Sequence, residues 1–522
     1  MNSNLQILVL LLIVIAAVAV VAKRLQIPPA ILLVITGVVL ALIPGLPAVN
    51  LAPNFVLLFV LPPIVYASAV AMSWREFRFN LRPISLLAVG CVLFTTITTA
   101  AITHALLGFS WSVGFVLGAI VSPPDPVAPL SIARRLELPR RLLVILEGEG
   151  LANDASALII YRFAVAAVGA SAFSLTHAAG TFAAIIGGEI LWGIGVGWLM
   201  LRLRRWARDP RIEIMLSVLT PFLAYWPPQH LGGSGVLATV TAGLYISWNG
   251  LRLISAATRL QGIFFWDFVM YLTEGFVFLI TGLQARTLIA GIRDDSLHDL
   301  CVSAAIVCGG VILARFIWMF PATYLPRWLF SSIARNDPAP PWQWPFALAF
   351  TGVRGIVSLA AALAIPLTTE SGAIFPNRDR ILFLTFSVIL VTLVGQGLML
   401  PSVIRALGLA HAGRREREAD RIEEAEARRL ALEAAGLRLD QMNRERRLSE
   451  AVVQSLRLRL GSRGGGHSAG ASAEIELLLV AAERQKINDL YRLGGIKDEA
   501  RRRIERELDL REAQLTNMQS DE

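Results

Sequence analysis

Residues 121–129 read VSPPDPVAP, inside an apolar stretch otherwise long enough to form a membrane-spanning helix. Proline has no backbone N–H and clashes with the preceding turn, so four prolines within seven residues predict an unwound segment around Asp125. Non-helical backbone at membrane depth is tolerated only where it lines a cavity or is buried in protein. In broken-helix transporters, such free carbonyls and half-helix ends coordinate ions. The alternative is a simple structural kink, but this leaves the embedded carboxylate unexplained.

The composition of the whole chain is that of a membrane protein. Of the 522 residues, 55% are hydrophobic and only 17% are charged, with a mean hydropathy of +0.60. These values exclude a disordered chain and argue against a water-soluble enzyme, so we expect neither an enzymatic activity nor a cofactor. The three cysteines lie in apolar runs without metal-ligand spacing, and we predict no disulfide and no structural metal site.

The apolar runs predict about thirteen transmembrane helices, since each span needs about 20 mostly apolar residues. No Lys or Arg precedes the first run and no cleavage pattern follows it, which indicates a retained span rather than a signal peptide. The predicted spans are 5–22, 27–43, 51–72, 84–107, 110–133, 139–168, 175–201, 212–229, 232–249, 261–285, 298–325, 345–367 and 381–404.

The net charge of +9 is a topology signal. Residues 411–522 hold 22 basic and 22 acidic residues, so the whole excess lies in residues 1–410. Of the 26 basic residues there, 19 fall in alternate loops and four in the opposite loops. The positive-inside rule then predicts an N-terminus outside and a C-terminus in the cytoplasm. This placement removes nucleic acid as a partner and leaves the lipid bilayer as the neighbour of the charge.

Two regions follow from this division: a transmembrane domain over residues 1–410 and a charged cytoplasmic tail over residues 411–522. The tail has i,i+4 pairs such as Glu424 with Arg428 and a loose apolar stripe, which predict helix. A flexible linker is predicted at 461–473, followed by helices at about 474–492 and 497–517. Regulation, dimer contact and a merely solvated appendage all remain open for the tail.

The sixth predicted span contains EGEGLANDASALIIYRFAV, residues 147–165. Glu149 and Asn153 are four residues apart and share a helix face, whereas Asp154 lies about 100° further round. The helix can therefore present Asp154 to the unwound segment while Glu149 faces another neighbour. Gly148 and Gly150 permit close backbone approach, as small residues do at membrane helix contacts.

A second interruption is predicted in the twelfth span, where Gly352 and Gly355 flank Arg354. Paired interrupted spans in the two halves of a chain indicate an inverted-repeat transporter. An ionisable group in hydrocarbon needs a partner, water or a function, so Arg354 is predicted to be a counter-ion for one of the acids. Further embedded charges are left open as structural or functional, namely Glu274, Asp267, Glu189, Arg162 and Arg315.

At these residues the sequence resembles the monovalent cation:proton antiporter-1 family, the bacterial sodium/proton exchangers of the plasma membrane. The resemblance covers about residues 1–410. It implies a fold of thirteen spans with inverted repeats, a homodimer, and a mobile core bundle that carries the ion against a fixed dimerisation domain. The motifs, in family order, are LPPIVYASAVAMSWREFR (61–78), SPPDPVAP (122–129), EGLANDASAL (149–158), EGFVFLITGLQ (274–284) and GVRGIVSLAAALAIP (352–366).

The resemblance also implies roles for single residues. Asp154 matches the aspartate that binds the cation and the proton alternately, and Asn153 matches its partner in electroneutral exchange of one cation for one proton. Asp125 matches the acid at the crossing of the unwound span. Glu149 and Arg354 match a buried ion pair that holds the core helices together.

Departures from the family pattern leave the transported cation open. Relatives often have a glutamate in the third span, where this chain reads Tyr66-Ala67-Ser68. Oxygen ligands from Ser68, Ser122 or Ser156, from backbone carbonyls near residues 122–125, or from water are the replacements we predict. We expect no metal bound beyond the transported cation. A Na⁺/H⁺ antiporter serving pH homeostasis is the leading hypothesis, and K⁺ or Li⁺ in place of Na⁺ is the alternative. A proton-coupled organic-solute transporter and a membrane sensor that transports nothing are the other classes.

Overall fold

The computed structural model describes residues 3–44, 52–168, 175–207, 209–250, 253–290, 296–369, 372–446, 450, 453–454, 456–457 and 471–520. Within these ranges the fold is helical, as predicted, and the sole β pairing there is an isolated bridge between Thr368 and Ile374. Three short π-helical segments, Val56–Val60, Leu86–Cys91 and Val391–Gln396, continue directly into α-helices.

The α-helices are numbered in chain order. They are α1 Ser3–Leu25, α2 Pro29–Ala41, α3 Pro53–Phe55, α4 Leu61–Ala71, α5 Trp74–Phe79, α6 Leu81–Ser85, α7 Val92–Leu107, α8 Trp111–Val121, α9 Val127–Arg135, α10 Arg140–Ala167, α11 Leu175–Ala207, α12 Pro210–His230, α13 Val236–Asn249, α14 Ala256–Leu283, α15 Ala285–Ala290, α16 Leu297–Leu329, α17 Ser331–Asn336, α18 Gln343–Phe350, α19 Ile356–Leu363, α20 Arg378–Leu390, α21 Gly397–Ala406, α22 Leu409–Arg446, α23 Ala471–Leu493 and α24 Asp498–Ser520.

Seven helical stretches within the described ranges are long and apolar enough to cross a membrane. The helices α2 and α8 are apolar but shorter. The chain is therefore a multi-pass helical membrane protein, while the count of thirteen spans stays a prediction. The seven stretches are Gln6–Leu25, Pro53–Ala71, Leu81–Leu107, Gly180–Ala207, Ala256–Leu288, Leu297–Leu329 and Arg378–Ala406.

Both predicted interruptions are confirmed. Helix α8 ends at Val121 and α9 begins at Val127, so the proline-rich residues between them are unwound. Helix α18 ends at Phe350 and α19 begins at Ile356, and the extended Gly355 is the residue before the second half-helix. Each of the two spans thus consists of two half-helices joined by non-helical backbone.

The chain divides into two compact units. The first comprises residues 1–203, 216–251 and 267–412, and helix α10 lies in its apolar core. Half-helix α8 packs against α10 and α7, while α19 packs against α8 and α20. This arrangement brings the two interrupted spans and helix α10 together.

The second unit comprises residues 204–215, 252–266 and 413–522. Its tail helices α22 and α23 share a cluster of buried apolar side chains such as Ala435, Leu439 and Leu479, and α24 packs against α23. The predicted helical pair is present, since Arg428 Nη2 donates to Glu424 Oε1 at 2.8 Å. Of the predicted linker, residues 461–470 lie outside the described residues, and the other three, 471–473, already belong to α23.

Candidate ion-binding site

The two unwound segments cross and hydrogen-bond to each other. The backbone N–H of Asp125 donates to the carbonyl oxygen of Val353 at 2.6 Å, and Arg354 Nε donates to the carbonyl oxygen of Val121 at 2.9 Å. The backbone N–H of Arg354 also donates to Thr392 Oγ1 at 3.0 Å, which fastens the crossing to the π-helical segment after α20. The broken backbone is thus buried in protein, as its depth in the membrane requires.

The carboxylate of Asp125 lies at the positive ends of two half-helices. Its Oδ1 accepts a hydrogen bond from the backbone N–H of Val127, the first residue of α9, at 2.9 Å. The carboxylate also accepts from the backbone of Ile356, the first residue of α19. A helix N-terminus carries about half a positive charge, so one negative side chain compensates both ends.

Arg354 compensates the negative, C-terminal ends of the other two half-helices, α8 and α18. It is 1% exposed and donates to the carbonyl oxygens of Val121, the last residue of α8, and of Gly352, just beyond the end of α18. Both carbonyls belong to helix C-termini, where a cation is stabilising. The predicted pairing of Arg354 with Glu149 is wrong, because these backbone groups, rather than a carboxylate, receive its hydrogen bonds.

Glu149 pairs with Arg315 of helix α16 instead. Two nearly parallel hydrogen bonds join them, from Arg315 Nη1 to Oε1 at 2.5 Å and from Nη2 to Oε2 at 2.8 Å. Arg315 Nε also donates to the carbonyl oxygen of Leu348 in α18 at 3.2 Å. Both side chains are buried, at 1% and 2% exposure, so this is a bidentate ion pair of the kind that needs full hydrogen bonding. It links α10, α16 and α18.

Asn153 and Asp154 present the unsatisfied oxygens of the site. Asn153 Nδ2 donates to the carbonyl oxygen of Pro124 at 2.7 Å, and its own Oδ1 is buried without a hydrogen-bond partner among the described residues. The half-buried carboxylate of Asp154 likewise has no hydrogen-bond donor in the described part of the chain. It lies close enough to Asp125 for the two charges to repel each other. Buried oxygens without donors suit a cation or a proton.

Helix α10 packs so closely against its neighbours that Gly148 and Gly150 have no room for a side chain. A methyl group at Gly150 would overlap the ring of Pro126 in the unwound segment, and one at Gly148 would overlap Ile84. The predicted close approach at these glycines is therefore confirmed. Because Gly150 lies between Glu149 and Asn153, it sets the distance at which both reach their partners.

The predicted extra ligands take different positions. Ser122 is buried and donates to the carbonyl oxygen of Ala119 at 3.1 Å, and Ser156 is buried on α10. Ser68 lies on an exposed face of α4 and is not brought to the crossing by any described contact. Clusters of three or more His, Cys, Asp or Glu that suit a metal do not occur in the described ranges.

The structure shows the surroundings of three further embedded charges and gives one of them, Glu189, a role. Glu189 accepts backbone hydrogen bonds from Ser234, Gly235, Leu237 and Ala238, and thereby caps the N-terminus of α13. This is a structural role that the sequence left open. Glu274 is half-buried within electrostatic range of Asp125 and Arg134, and Arg162 is half-buried near Tyr161 and Tyr225.

This crossing of two broken helices beside an Asn-Asp pair has a match among known families. Residues 8–406 fit the model of the sodium/hydrogen exchanger family, described as the transmembrane part. The chain belongs to the sodium/hydrogen exchanger family. It is 38% identical over 405 residues to an uncharacterized Na⁺/H⁺ exchanger of Mycobacterium tuberculosis, covering 76% of this chain and 74% of that protein.

Two other relatives extend the comparison. The sodium, potassium, lithium and rubidium/H⁺ antiporter of Bacillus subtilis is 34% identical over 409 residues, which cover 75% of this chain and 60% of the antiporter. An uncharacterized Na⁺/H⁺ exchanger of Escherichia coli is 30% identical over 500 residues, covering 90% of both chains. The sodium proton antiporter MjNhaP1 from Methanocaldococcus jannaschii superposes with a TM-score of 0.61 at 19% identity, over 78% of this chain and 97% of MjNhaP1, and so shares the fold.

Gly355 provides a first prediction for this family member. A Cβ atom at this position would overlap the carboxylate of Asp125, so Gly355→Ala is expected to cost about 1–3 kcal/mol of stability and to reduce transport at least several-fold. Thermal unfolding and transport assays of the purified variant would measure both. The matched control is Gly309→Ala in α16, where the added methyl group meets open space. Equal behaviour of the two variants would contradict a tight crossing at Gly355.

Proposed function

We propose that the chain is a monovalent cation/proton antiporter in which the Asp154 carboxylate binds a cation and a proton in competition. The single observation that carries this proposal is that the Asp154 carboxylate and Asn153 Oδ1, beside the unwound segment, accept no hydrogen bond from any described residue. Membership of the sodium/hydrogen exchanger family supports it. Na⁺ is the proposed cation, and K⁺ and Li⁺ are the alternatives.

The chemistry of competition follows from the ligands available. Hard cations prefer oxygen ligands, and here a carboxylate, an amide oxygen and backbone carbonyls near Pro124 lie together. A negative carboxylate in a poorly solvated site is stabilised by either a proton or a cation. If only the two neutral, loaded forms cross the membrane, each cation that moves is exchanged for one proton, and the cycle is electroneutral.

The charges at the crossing of the two unwound segments are compensated within the protein itself. Asp125 compensates two helix N-termini and Arg354 compensates two helix C-termini, so neither charge needs the transported ion. In our proposal Asp154 is the carboxylate whose charge changes during the cycle. The Glu149–Arg315 pair keeps α10, α16 and α18 together while the loaded core moves.

The surroundings of the transporter are also part of the proposal. We place it in the inner membrane as a homodimer, with the N-terminus outside and the tail over residues 411–522 in the cytoplasm. The arginine-rich loops support this orientation through the positive-inside rule.

The experiment that tests the function uses inside-out vesicles containing the chain and a pH-sensitive dye. After a proton gradient is formed, Na⁺, K⁺, Li⁺ or Rb⁺ is added in turn. We expect dequenching with at least Na⁺, unchanged when the membrane potential is clamped. Substrate-dependent proton movement with organic solutes but not with these cations would instead favour a solute transporter. Vesicles without any flux would favour a sensor.

A second prediction concerns the tail. Asp509 of α24 accepts a hydrogen bond from Arg259 Nε at 2.9 Å and another from Arg484 of α23 at 2.9 Å, and it is only 5% exposed. We expect Asp509→Asn to speed amide hydrogen exchange in residues 256–266 and 498–515 roughly tenfold or more, because charged hydrogen bonds contribute about 1.5–3 kcal/mol.

The matched control for the tail is Asp440→Asn. Asp440 forms a comparable pair with Arg457 at 2.7 Å, but both side chains are largely exposed, at 45% and 63%. Exposed ion pairs contribute little to stability, so the control should leave the amide hydrogen exchange of residues 256–266 unchanged. The same rates of amide hydrogen exchange in both variants would show that Asp509 does not hold the tail to residues 256–266.

A further inference from the structure

Three arginines from helices α6, α10 and α16 converge on one carboxylate, that of Asp337. Arg141 Nη1 donates to Oδ1 at 2.8 Å, Arg327 Nη2 donates to Oδ2 at 2.8 Å, and Arg82 also contacts Oδ2. We call these four residues the Asp337 cluster. Its formal charge is +2, because three guanidinium groups share a single carboxylate.

The carboxylate of this cluster stays ionised near neutral pH. Burial raises the pKa of Asp337, but the hydrogen bond and charge of Arg141 and the charges of Arg327 and Arg82 outweigh that effect and hold the pKa below its usual value. Protonation of Asp337 therefore does not alter the excess of positive charge.

The arginines retain hydrogen-bond donors that Asp337 does not use. A guanidinium has five N–H groups, yet Arg82 donates through Nη2 alone among the described residues. Arg141 donates through Nε to Asn80 and through Nη1 to Asp337, which leaves its Nη2 without an acceptor in the described ranges. These two side chains are 29% and 25% exposed, so their free donors can reach a ligand.

The same three arginines line a cavity of about 50 Å³ whose other walls are apolar except at Thr323. A patch of cationic donors thus adjoins an apolar wall. The apolar lining consists mainly of Leu86, Leu87, Ile145, Met319, Trp344 and Leu348.

Exposed aromatic side chains near this cavity indicate its position relative to the membrane surface. Phe79, Trp328 and Trp342 are 69%, 81% and 55% exposed, and all three are within a few residues of the cluster or its lining in the chain. Aromatic residues are enriched at membrane–water interfaces, where their rings lie among lipid headgroups. The Asp337 cluster therefore lies at headgroup depth.

We propose that the Asp337 cluster binds the phosphate group of an anionic phospholipid, with an acyl chain along the apolar wall. Arginine suits phosphate because its planar fork makes paired, charge-assisted hydrogen bonds. A phosphate would also relieve the repulsion among three guanidinium groups. The apolar wall and the exposed aromatics favour a lipid over a soluble phosphate. Bound lipid would join α6, α10 and α16, and α10 carries Asp154.

The test uses the purified full-length chain in neutral detergent. Thermal unfolding is followed while phosphatidylglycerol, phosphatidylcholine or inorganic phosphate is added. We expect phosphatidylglycerol to raise the unfolding temperature, and the other two to have no comparable effect. Two variants are then compared by the phosphatidylglycerol concentration that gives half of the maximal rise in unfolding temperature. We expect this concentration to be roughly fivefold higher for Arg82→Gln and roughly fivefold lower for Asp337→Asn. The first variant removes one net positive charge near the headgroup and the second adds one.

The opposite directions separate a lipid site from a structural ion cluster. If the cluster only holds the ends of α6, α10 and α16 together, both variants lower the unfolding temperature and neither changes the lipid concentration that gives half of the stabilisation. That result would overturn the proposal, as would equal stabilisation by inorganic phosphate or an unchanged lipid response in both variants. The control is Arg429→Gln, which removes one positive charge from an exposed pair in the tail and should leave the lipid response unchanged.

Discussion

Asp154→Asn is expected to abolish cation/proton exchange while leaving the protein folded. Asparagine has nearly the same shape as aspartate, but its amide neither takes up a proton near neutral pH nor supplies a negative charge to a cation. Asp154 has no hydrogen-bond donor among the described residues, so its replacement breaks no hydrogen bond there. The expected loss is therefore one of transport, measured as dye response in vesicles with matched protein content.

The matched control for this prediction lies on the same helix. Glu147 is seven residues before Asp154 and pairs with Arg134 of α9, away from the oxygens of the candidate site. Glu147→Gln should retain exchange, and both variants should unfold close to the temperature of the unmodified chain. Persistent exchange in Asp154→Asn vesicles would remove Asp154 from the centre of the mechanism. Loss of exchange in both variants would show only that α10 tolerates no change of charge.

The second large effect is expected on stability, at the buried Glu149–Arg315 pair. Removing one partner leaves an uncompensated charge in a site that is 1–2% exposed, which typically costs 3–5 kcal/mol. We therefore expect Arg315→Leu and Glu149→Leu each to lower the unfolding free energy by about that amount. The double variant should recover much of the loss, because an apolar pair leaves no buried charge.

A double-mutant cycle makes this prediction specific. The coupling energy between Glu149 and Arg315 should exceed about 1 kcal/mol, since the two share hydrogen bonds. The same cycle between Glu149 and Arg354 serves as the comparison and should give a much smaller value, because Arg354 donates to backbone carbonyls. Equilibrium unfolding in mixed micelles measures both cycles. A larger coupling with Arg354 would restore the pairing predicted from the sequence.

The sequence predicts the architecture well where a local rule applies. Four prolines around Asp125 are incompatible with a continuous helix, and the structure has an unwound segment there. Glycines on either side of Arg354 similarly weaken the helix, and that span is broken as well. The spacing of Glu149 and Asn153 predicts a shared face of α10, but their contacts differ: Asn153 donates to Pro124 in the unwound segment, whereas Glu149 pairs with Arg315 of α16.

The choice of ion-pair partner could not be predicted in the same way. Arg162, Arg315 and Arg354 are all isolated arginines within apolar spans, and the partner of Glu149 lies 166 residues away in the chain. Which of them reaches Glu149 depends on how three helices pack. The carbonyls at the ends of α8 and α18 are also acceptors for a buried arginine. Sequence reasoning that counts only acidic side chains overlooks these backbone groups.

The Asp337 cluster shows a similar limit. Its arginines are visible in the sequence as positive charge in loops, which is sufficient for a prediction of topology. Their convergence on one carboxylate beside a largely apolar cavity depends on the ends of three separate helices meeting, and nothing in the local sequence indicates it.

The most direct test of the account is the dependence of Na⁺ affinity on pH in vesicles containing the unmodified chain. If cation and proton compete for the Asp154 carboxylate, the half-saturating Na⁺ concentration rises as the pH falls, by up to about tenfold per pH unit, while the maximal rate at saturating Na⁺ changes little. A half-saturating concentration that is independent of pH, with only the maximal rate changing, would contradict competition at a single carboxylate.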